Sequence, residues 1–239
     1  KAAIDGVRAF NMKGINITIP HKVEVLKYLD ELSPAARIIG AVNMIVNTDG
    51  KLWGENTDGK GFLISLKNEG ITPEGKTVMI LGAGGAARAI SVECALAKAK
   101  KIIIANIVRE EGEALVKMIT EKTGVPAEFI MWDHAVRVPE EVDIFSNATS
   151  VGLYPHTDQK PNVDYDTIRP ELVVTDVIFN DPHSLFLQEA EKRGARTING
   201  LGMLVNQGAL NFKLWTGVEP PVEVMKDVLK REFGLEKAG

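Results

Sequence analysis

The stretch KTVMILGAGGAARAI, residues 76–90, decides the fold, because a short apolar run breaks there into glycines and continues into small helix-forming residues. The glycines therefore lie at a turn from a strand to a helix. At such a turn Gly82 allows the tight bend, Gly84 lets the backbone approach a pyrophosphate, and Ala87 keeps the helix close to the strand. Glycine-rich turns also occur where no ligand binds, but in this context we interpret G-x-G-x-x-A as a dinucleotide site.

Strand and helix patterns alternate regularly after this turn begins. The pattern predicts, in order, strand 76–81, helix 85–98, strand 101–106, helix 110–122, strands near 128–131, at 142–146 and at 172–177, helix 184–193 and a strand near 196–198. Such alternation is typical of a parallel sheet with helices on both faces. We therefore predict an α/β fold whose main domain is a doubly wound, Rossmann-type dinucleotide-binding domain.

The first third of the chain predicts a smaller, separate α/β unit. GINITI (14–19) alternates as a strand, Pro20 opens an amphipathic helix through residues 22–32, and residues 41–56 form a hairpin that turns at Asp49-Gly50. Residues 1–10 resemble the end of a helix, so we expect upstream sequence to supply at least one further strand of this sheet.

Two helical patterns close the chain, at 199–217 and 221–234. A helix pair with apolar faces needs a partner, so we expect it to fold back onto the first third. The predicted domains are therefore a substrate-binding domain from residues 1–66 and 203–239, and an NAD(P)-binding domain from residues 67–202.

Composition narrows the class of function. The chain has 239 residues, 45% of them hydrophobic and 25% charged, as in ordinary globular proteins. Its 28 basic and 32 acidic residues give a net charge of −4 without a dense basic run, which argues against nucleic acid as partner and favours a small-molecule substrate. No apolar stretch has membrane-spanning length and no signal peptide opens the chain, so we expect no membrane partner and a cytoplasmic setting.

Cysteine and histidine usage bears on metals and disulfides. Cys94 is the only cysteine and lies in an apolar helical stretch, where we predict a buried packing residue, so no disulfide can form within the chain. The four histidines have no ligand spacing, and we predict no metal site.

Four polar clusters carry a resemblance to a known family. They are N-x-T-x-P-x-K from Asn16 to Lys22, G-A-V-N at 40–43, N-T-D-G at 56–59, and G-x-G-M-L-x-x-Q-G from Gly200 to Gly208. In this order, with the glycine turn between the third and fourth, they resemble the shikimate dehydrogenase family, including its quinate/shikimate branch. The resemblance runs from about residue 7 to the C-terminus. It implies reversible hydride transfer between NADP or NAD and a ring hydroxyl of shikimate or quinate, as in aromatic amino acid (chorismate) biosynthesis.

The residues agree with such chemistry. Oxidising a secondary alcohol requires a group that takes the hydroxyl proton as the hydride leaves. Lys22, in the first turn of a helix after a strand, can place its amine in a cleft, and Asp58 is the carboxylate that would orient it. Burial would favour the neutral amine and Asp58 the charged one, and the sequence does not decide between them.

The resemblance also implies further site residues. The substrate-contacting positions are Thr18, Lys22, Asn43, Asp58 and Gln207. Taken alone, Asn43 is equally well a turn-capping residue and Thr18 an ordinary strand residue, whereas Gln207 lies on an apolar helical stripe, where an unpartnered amide would be costly. The cofactor positions are Gly82, Ala83, Gly84, Gly85, Ala86, Asn106, Arg109, Asn147, Thr149, Val177, Gly200 and Met203.

The chain departs from the family pattern at two places. The first place follows the second strand of the dinucleotide-binding domain, where NADP-preferring members have N-R-T-x-x-R and this chain has NIVREE at residues 106–111. Neither of the two matched arginines is present. An acidic residue at the end of the strand, which would indicate NAD, is absent as well. We expect a slight preference for NAD, but the sequence does not decide whether the cofactor is NAD or NADP. Phe179 stands where the family usually has a tyrosine, which leaves shikimate against quinate open.

Some alternatives remain. The family's carboxylate-binding S-x-S pair has no counterpart in residues 1–13, so we expect missing upstream sequence to supply it. The chain could also be the dehydrogenase part of a longer dehydratase–dehydrogenase, or a non-catalytic nucleotide-binding module, although a silent module has no need of Lys22, Asp58 and Gln207 together. Monomer and homodimer both remain open.

Overall fold

A computed structural model describes residues 1–233, so the last six residues of the predicted segment 203–239 lie outside the described part. The helices are α1 (Ala2–Ala9), α2 (His21–Glu24), α3 (Pro34–Ile39), α4 (Asp58–Asn68), α5 (Gly85–Leu96), α6 (Arg109–Thr123), α7 (Leu185–Glu191), α8 (Leu201–Thr216) and α9 (Val222–Glu232). The strands are β1 (Gly14–Asn16), β2 (Glu31–Leu32), β3 (Met44–Thr48), β4 (Lys51–Glu55), β5 (Thr77–Leu81), β6 (Lys101–Asn106), β7 (Ala127–Met131), β8 (Ile144–Asn147), β9 (Val173–Asp176) and β10 (Arg196–Ile198).

The larger sheet has six strands in the order β10-β9-β8-β5-β6-β7, and every neighbouring pair is parallel. The chain runs from β5 outward to β6 and β7, and then returns to the other side of β5 through β8. The carboxyl ends of β5 and β8 therefore flank the point where the strand order reverses, which is where ligands bind in such sheets. The predicted α/β fold with a doubly wound parallel sheet is confirmed.

Both faces of this sheet are covered, but in different ways. Val78 and Ile80 of β5 belong to one apolar cluster with α4, α5 and α6. Met79 and Leu81 point to the opposite cluster, which contains α7 and largely irregular chain from 132–142 and 163–172. The prediction of helices on both faces is confirmed. On the second face, however, α7 is accompanied by irregular chain, because prolines interrupt the segments 132–142 and 163–172.

The smaller sheet has four strands in the order β1-β3-β4-β2. Strands β3 and β4 form the predicted antiparallel hairpin, in which Asp49 and Gly50 both have positive φ angles of 51° and 89°. Two positive φ angles match the right-handed twist of a two-residue hairpin. The hairpin prediction is therefore confirmed.

Two predicted elements in this region are wrong. The strand predicted over 14–19 ends at Asn16, because the chain turns after Ile17, where His21 N donates to the Thr18 carbonyl and α2 begins. The helix predicted over 22–32 breaks into α2 and a 3₁₀ turn at Val25–Tyr28, followed by β2. Pairing of β2 with β4 overrides the helical pattern in its last residues.

The sequence pattern did not predict helix α4, whose first residue, Asp58, lines a cavity between the two sheets. It packs closely on α8, since a Cβ added at Gly61 would lie 2.6 Å from the Met203 carbonyl oxygen. Trp215 of α8 donates from Nε1 to the Ile45 carbonyl of β3 at 2.8 Å. The helix α8 thus lies against the smaller sheet, and α9 packs on α8.

Candidate active site

A cavity of about 650 Å³ opens between the two sheets, at the carboxyl ends of β5, β8 and β9. Its lining comes from both parts of the chain: Asn16, Ile17, Thr18, Ile19, Lys22, Asn43, Asp58, Gly85, Ala86, Ala148, Thr149, Ser150, Leu153, Val177, Ile178, Phe179, Gly200, Met203, Leu204 and Gln207. All five residues predicted to contact substrate are among them. The cavity is the structure's candidate active site.

An ion pair lies in the wall of this cavity. Lys22, in the short helix α2, places Nζ 2.7 Å from Oδ2 of Asp58, the first residue of α4. The side chains are 24% and 18% exposed, so the pair is largely shielded and yet open to the cavity. The N-terminus of α4 stabilises the carboxylate through the helix dipole. An amine held by a carboxylate in this way can exchange a proton with a bound hydroxyl group.

Asn43 holds the other side of the carboxylate. Its Nδ2 donates to Asp58 Oδ1 at 2.7 Å, while its Oδ1 accepts from the Thr57 backbone N–H at 2.8 Å. Asn43 is 4% exposed and Thr57 fully buried. Both Asp58 oxygens therefore have fixed partners, which limits the carboxylate to one orientation.

Asn211 of α8 completes this network, and the sequence reasoning missed it. Its Oδ1 accepts from Thr57 Oγ1 at 2.8 Å, and its Nδ2 donates to Asn16 Oδ1 at 2.7 Å and to Gln207 Oε1 at 3.3 Å. Asn211 is 1% exposed. The available signal was an amide in an otherwise apolar helical pattern, the same signal that singled out Gln207 one turn earlier.

The glycine turn has room for a phosphate. Gly82 has φ 101°, and a Cβ there would lie 3.1 Å from Thr149, whereas a Cβ at Gly84 or Gly85 would meet nothing within 4 Å. No side-chain hydrogen bond caps the N-terminus of α5 within the described residues, and Gly84 and Gly85 at this end are exposed. Unpaired N–H groups at the start of a 12-residue helix suit a pyrophosphate. The residues present therefore fit a dinucleotide.

The predicted cofactor residues fall into separate groups. Gly85, Ala86, Thr149, Val177, Gly200 and Met203 line the main cavity. Ala83 and Gly84 line a neighbouring cavity, and Gly82 shapes the bend. A Cβ at Gly200 would lie 2.5 Å from the carbonyl oxygens of Val177 and Ile178, so the approach of these segments requires glycine. Asn106, Arg109 and Asn147 line neither cavity.

Asn147 acts on the cavity through Thr149. Its Oδ1 accepts from Thr149 Oγ1 at 2.7 Å, and its Nδ2 donates to Asp176 Oδ1 at 3.0 Å. Asp176, which the sequence reasoning did not select, also accepts from Ser184 Oγ at 2.6 Å. Burial raises the pKa of Asp176 to about 6, while the hydrogen bonds from Ser184, Ile178 and Asn147 oppose that rise. Asp176 thus ties together the two loops beside the cavity.

In the loop after β6, the predicted cofactor residues Asn106 and Arg109 contact groups of their own loop and of α6 and β7. Arg109 Nη1 pairs with Glu113 at 2.9 Å, and its guanidinium lies 5.5 Å from the centre of the Phe129 ring. Asn106 Nδ2 donates to the Val108 carbonyl at 2.9 Å. Both side chains therefore already have partners within their own loop and helix.

Phe179 lines the cavity where the predicted pattern has a tyrosine, and its ring centre lies 6.1 Å from that of Phe233. No hydroxyl is available to substrate at this position. Cys94 is fully buried, and burial raises the pKa of its thiol, which confirms its prediction as a packing residue. Over residues 1–233, no group of three potential ligands could hold a metal ion, and no helix is long and apolar enough to cross a membrane.

Comparisons with known proteins agree with this geometry. Sequence models of two domains match the chain: the shikimate dehydrogenase substrate binding domain over residues 1–45, and the shikimate 5'-dehydrogenase C-terminal domain over residues 200–230. The shikimate dehydrogenase (NADP(+)) of Desulforamulus reducens is 46% identical over 235 residues, which are 97% of this chain and 81% of that protein.

Two solved structures are also similar. The ligand-free 5-ketofructose reductase of Gluconobacter sp. strain CHM43 has a TM-score of 0.92 and 44% identity, and the match covers 97% of this chain and 83% of that one. The shikimate 5-dehydrogenase from Listeria monocytogenes, in complex with shikimate and NAD, has a TM-score of 0.89 and 41% identity, covering 95% and 81%.

Proposed function

The chain belongs to the shikimate dehydrogenase family, and we propose that it catalyses reversible hydride transfer between NADP or NAD and the ring hydroxyl of shikimate, forming or reducing 3-dehydroshikimate. The observation that carries this proposal is the Lys22–Asp58 pair at 2.7 Å in a cavity that also reaches the glycine-turn residues Gly85 and Ala86. A proton-transfer group and a dinucleotide site therefore share one cleft.

Lys22 supplies the proton transfer in this proposal. A nicotinamide cofactor held at the glycine turn would supply the chemistry of hydride exchange with the alcohol carbon. In oxidation the neutral Lys22 amine takes the hydroxyl proton as the C–H bond breaks, and in reduction the ammonium returns that proton to the carbonyl oxygen. Asp58 orients Nζ and stabilises its charged form, and Asn43 keeps the carboxylate in place.

Recognition of the ring hydroxyls falls to short polar groups from several elements. Thr18, Asn43 and Gln207 line the cavity from three different segments. Asn211 holds the Gln207 amide, so that amide is oriented before the substrate binds. A site built to hydrogen-bond hydroxyls rejects a compound that lacks them, because its buried polar groups would remain unpaired.

The same geometry supports a division of labour between domains. We assign substrate binding to residues 1–66 and 203–239, and cofactor binding to residues 67–202. The backbone of Gly82, Ala83, Gly84, Gly85 and Ala86 would hold the pyrophosphate. Asn147 and Thr149, with Val177, Gly200 and Met203, would shape the nicotinamide end of the cleft.

A rate assay tests the proposal. Purified wild-type protein should reduce NADP or NAD in the presence of shikimate, and Lys22→Ala or Asp58→Ala should lower turnover by at least about a hundredfold, the usual contribution of a placed proton-transfer group. Lys27→Ala is the matched control, because Lys27 is an exposed lysine paired with Glu24. Turnover above half the wild-type value in both active-site variants would remove the pair from the mechanism.

Phe179 and one relative favour a second substrate class. Phenylalanine offers no hydroxyl to the substrate at this position, and a similar structure is a 5-ketofructose reductase. Quinate or a polyol ketone is therefore the second candidate. The same assay with quinate and with 5-ketofructose separates these possibilities through the ratios of kcat/KM.

A further inference from the structure

A second cavity, of about 400 Å³, lies beside the glycine turn and is lined by Ala83, Gly84, Arg88, Glu110, Glu111 and Ala114. It lies between the first turns of α5 and α6. In Rossmann-type domains the residues after the second strand face the 2′ position of the adenosine ribose, where a carboxylate binds the free hydroxyl and an arginine binds a 2′-phosphate. This cavity contains both kinds of group.

Arg88 is the cation of this cavity. It is the fourth residue of α5, and its Nε donates to the Ile39 carbonyl at 3.2 Å. Within residues 1–233 it forms no ion pair, so its terminal N–H groups remain available. Arg109, by contrast, is paired with Glu113 and stacked on Phe129.

We propose that Arg88 is the specificity-determining residue that contacts the 2′ substituent of the cofactor's adenosine ribose, and that Glu110 and Glu111 oppose it. The inference rests on the proposed function, because it requires a nicotinamide dinucleotide as cofactor. Arg88 is absent from the cofactor residues that the resemblance implies, and it reaches the cavity from the glycine-turn helix rather than from the loop after β6.

The charges in the cavity determine the direction of the preference. Glu110 and Glu111 occupy the first turn of α6, where the helix dipole would otherwise favour a phosphate. One guanidinium thus shares this cavity with two carboxylates. A 2′-phosphate gains the fork of Arg88 but is repelled by both glutamates, whereas a 2′-hydroxyl can donate to a carboxylate. Discrimination between NADP and NAD is therefore weak in the wild-type protein.

The bond to Ile39 favours arginine over lysine at this position. Nε remains bonded to the carbonyl at the C-terminus of α3, and a Cβ added at Gly40 would lie 3.7 Å from Nη2. The planar guanidinium can hold that carbonyl and a phosphate oxygen at the same time. A lysine has a single ammonium group on a flexible stem and cannot span both.

Calorimetric titration of two nucleotides tests the proposal without substrate or turnover. The probes are adenosine 2′,5′-bisphosphate and 5′-AMP, which differ only at the 2′ position. Arg88→Gln should lower the affinity for the bisphosphate by about tenfold or more, which is the contribution of one charged hydrogen bond. It should change the affinity for 5′-AMP by less than about twofold. Arg88→Lys should lose part of that affinity. Glu111→Gln should raise the affinity for the bisphosphate by about threefold or more, and this gain should be smaller at high salt.

Arg37→Gln is the matched control, since it removes an exposed arginine of α3 and should leave both affinities unchanged. Thermal unfolding of each variant verifies that it is folded. The role of Arg88 alone would be overturned if the folded variants Arg88→Gln and Arg88→Lys kept the wild-type ratio of the two nucleotide affinities. A larger loss of bisphosphate affinity in Arg109→Gln than in Arg88→Gln would overturn it as well. Failure of the wild-type protein to bind either nucleotide would overturn the dinucleotide site itself, and with it the proposed function.

Discussion

Asp176→Asn should remove a pH-dependent part of the free energy of unfolding. Asp176 is 3% exposed, and burial raises its pKa from the ordinary 3.8 to about 6. The folded protein therefore binds this proton more tightly than the unfolded chain does. The stabilisation is complete below about pH 4 and is lost as the pH rises through about 6.

The two pKa values differ by about two, which corresponds to about 3 kcal/mol over the full range. Between about pH 5 and pH 8 the loss is about 1.4 kcal/mol. Asparagine can keep the same contacts, because its Oδ1 can accept from Asn147 and from Ile178 N while its amide donates to Ser184 Oγ. The variant therefore removes the titration while leaving the loops tied together.

Urea unfolding of both proteins across this pH range measures the effect. The free energy of unfolding of the wild type, relative to that of Asp176→Asn, should fall by about 1.4 kcal/mol from about pH 5 to about pH 8. Asp166→Asn is the control, since the Asp166 side chain is 92% exposed and should show no such difference. Parallel curves for the wild type and Asp176→Asn would refute the reasoning.

Three further changes have defined outcomes. Ile107→Arg should shift the ratio of kcat/KM toward NADP by about tenfold, because it restores a charged hydrogen-bond donor in the loop after β6; an unchanged ratio would mean that this loop does not face the 2′ position. Asn211→Leu should raise KM for the ring substrate by about tenfold, since it removes the amide that accepts from Thr57 and donates to Asn16 and Gln207, and an unaltered KM would show that the bridge does not orient the site. Gly61→Ala should lower the free energy of unfolding by about 1–3 kcal/mol, because its Cβ meets the Met203 carbonyl, whereas Gly6→Ala, whose Cβ would approach no atom closer than 4.0 Å, should be harmless.

The parts of the fold that the sequence predicted are those in which local pattern and tertiary context agree. The strands at 76–81 and 101–106 are buried on both faces, so their apolar runs allowed little else. The hairpin at Asp49-Gly50 followed from turn chemistry that needs no distant partner. Helix α4 was missed because two of its first four residues are glycines, whose value lies in close packing against α5 and α8.

By itself the sequence determined the α/β class and the glycine turn, since these depend on the order and spacing of residue types, and its resemblance to a family indicated five polar residues that line the cleft. Tertiary structure alone decided that Asn211 joins Asn16 to Thr57 across more than 150 positions of chain, that β2 pairs with β4, and that Arg109 pairs with Glu113 while Arg88 bonds the Ile39 carbonyl. The physical reason is that a hydrogen bond or ion pair depends on where two distant segments meet. Local periodicity carries no information about that meeting point.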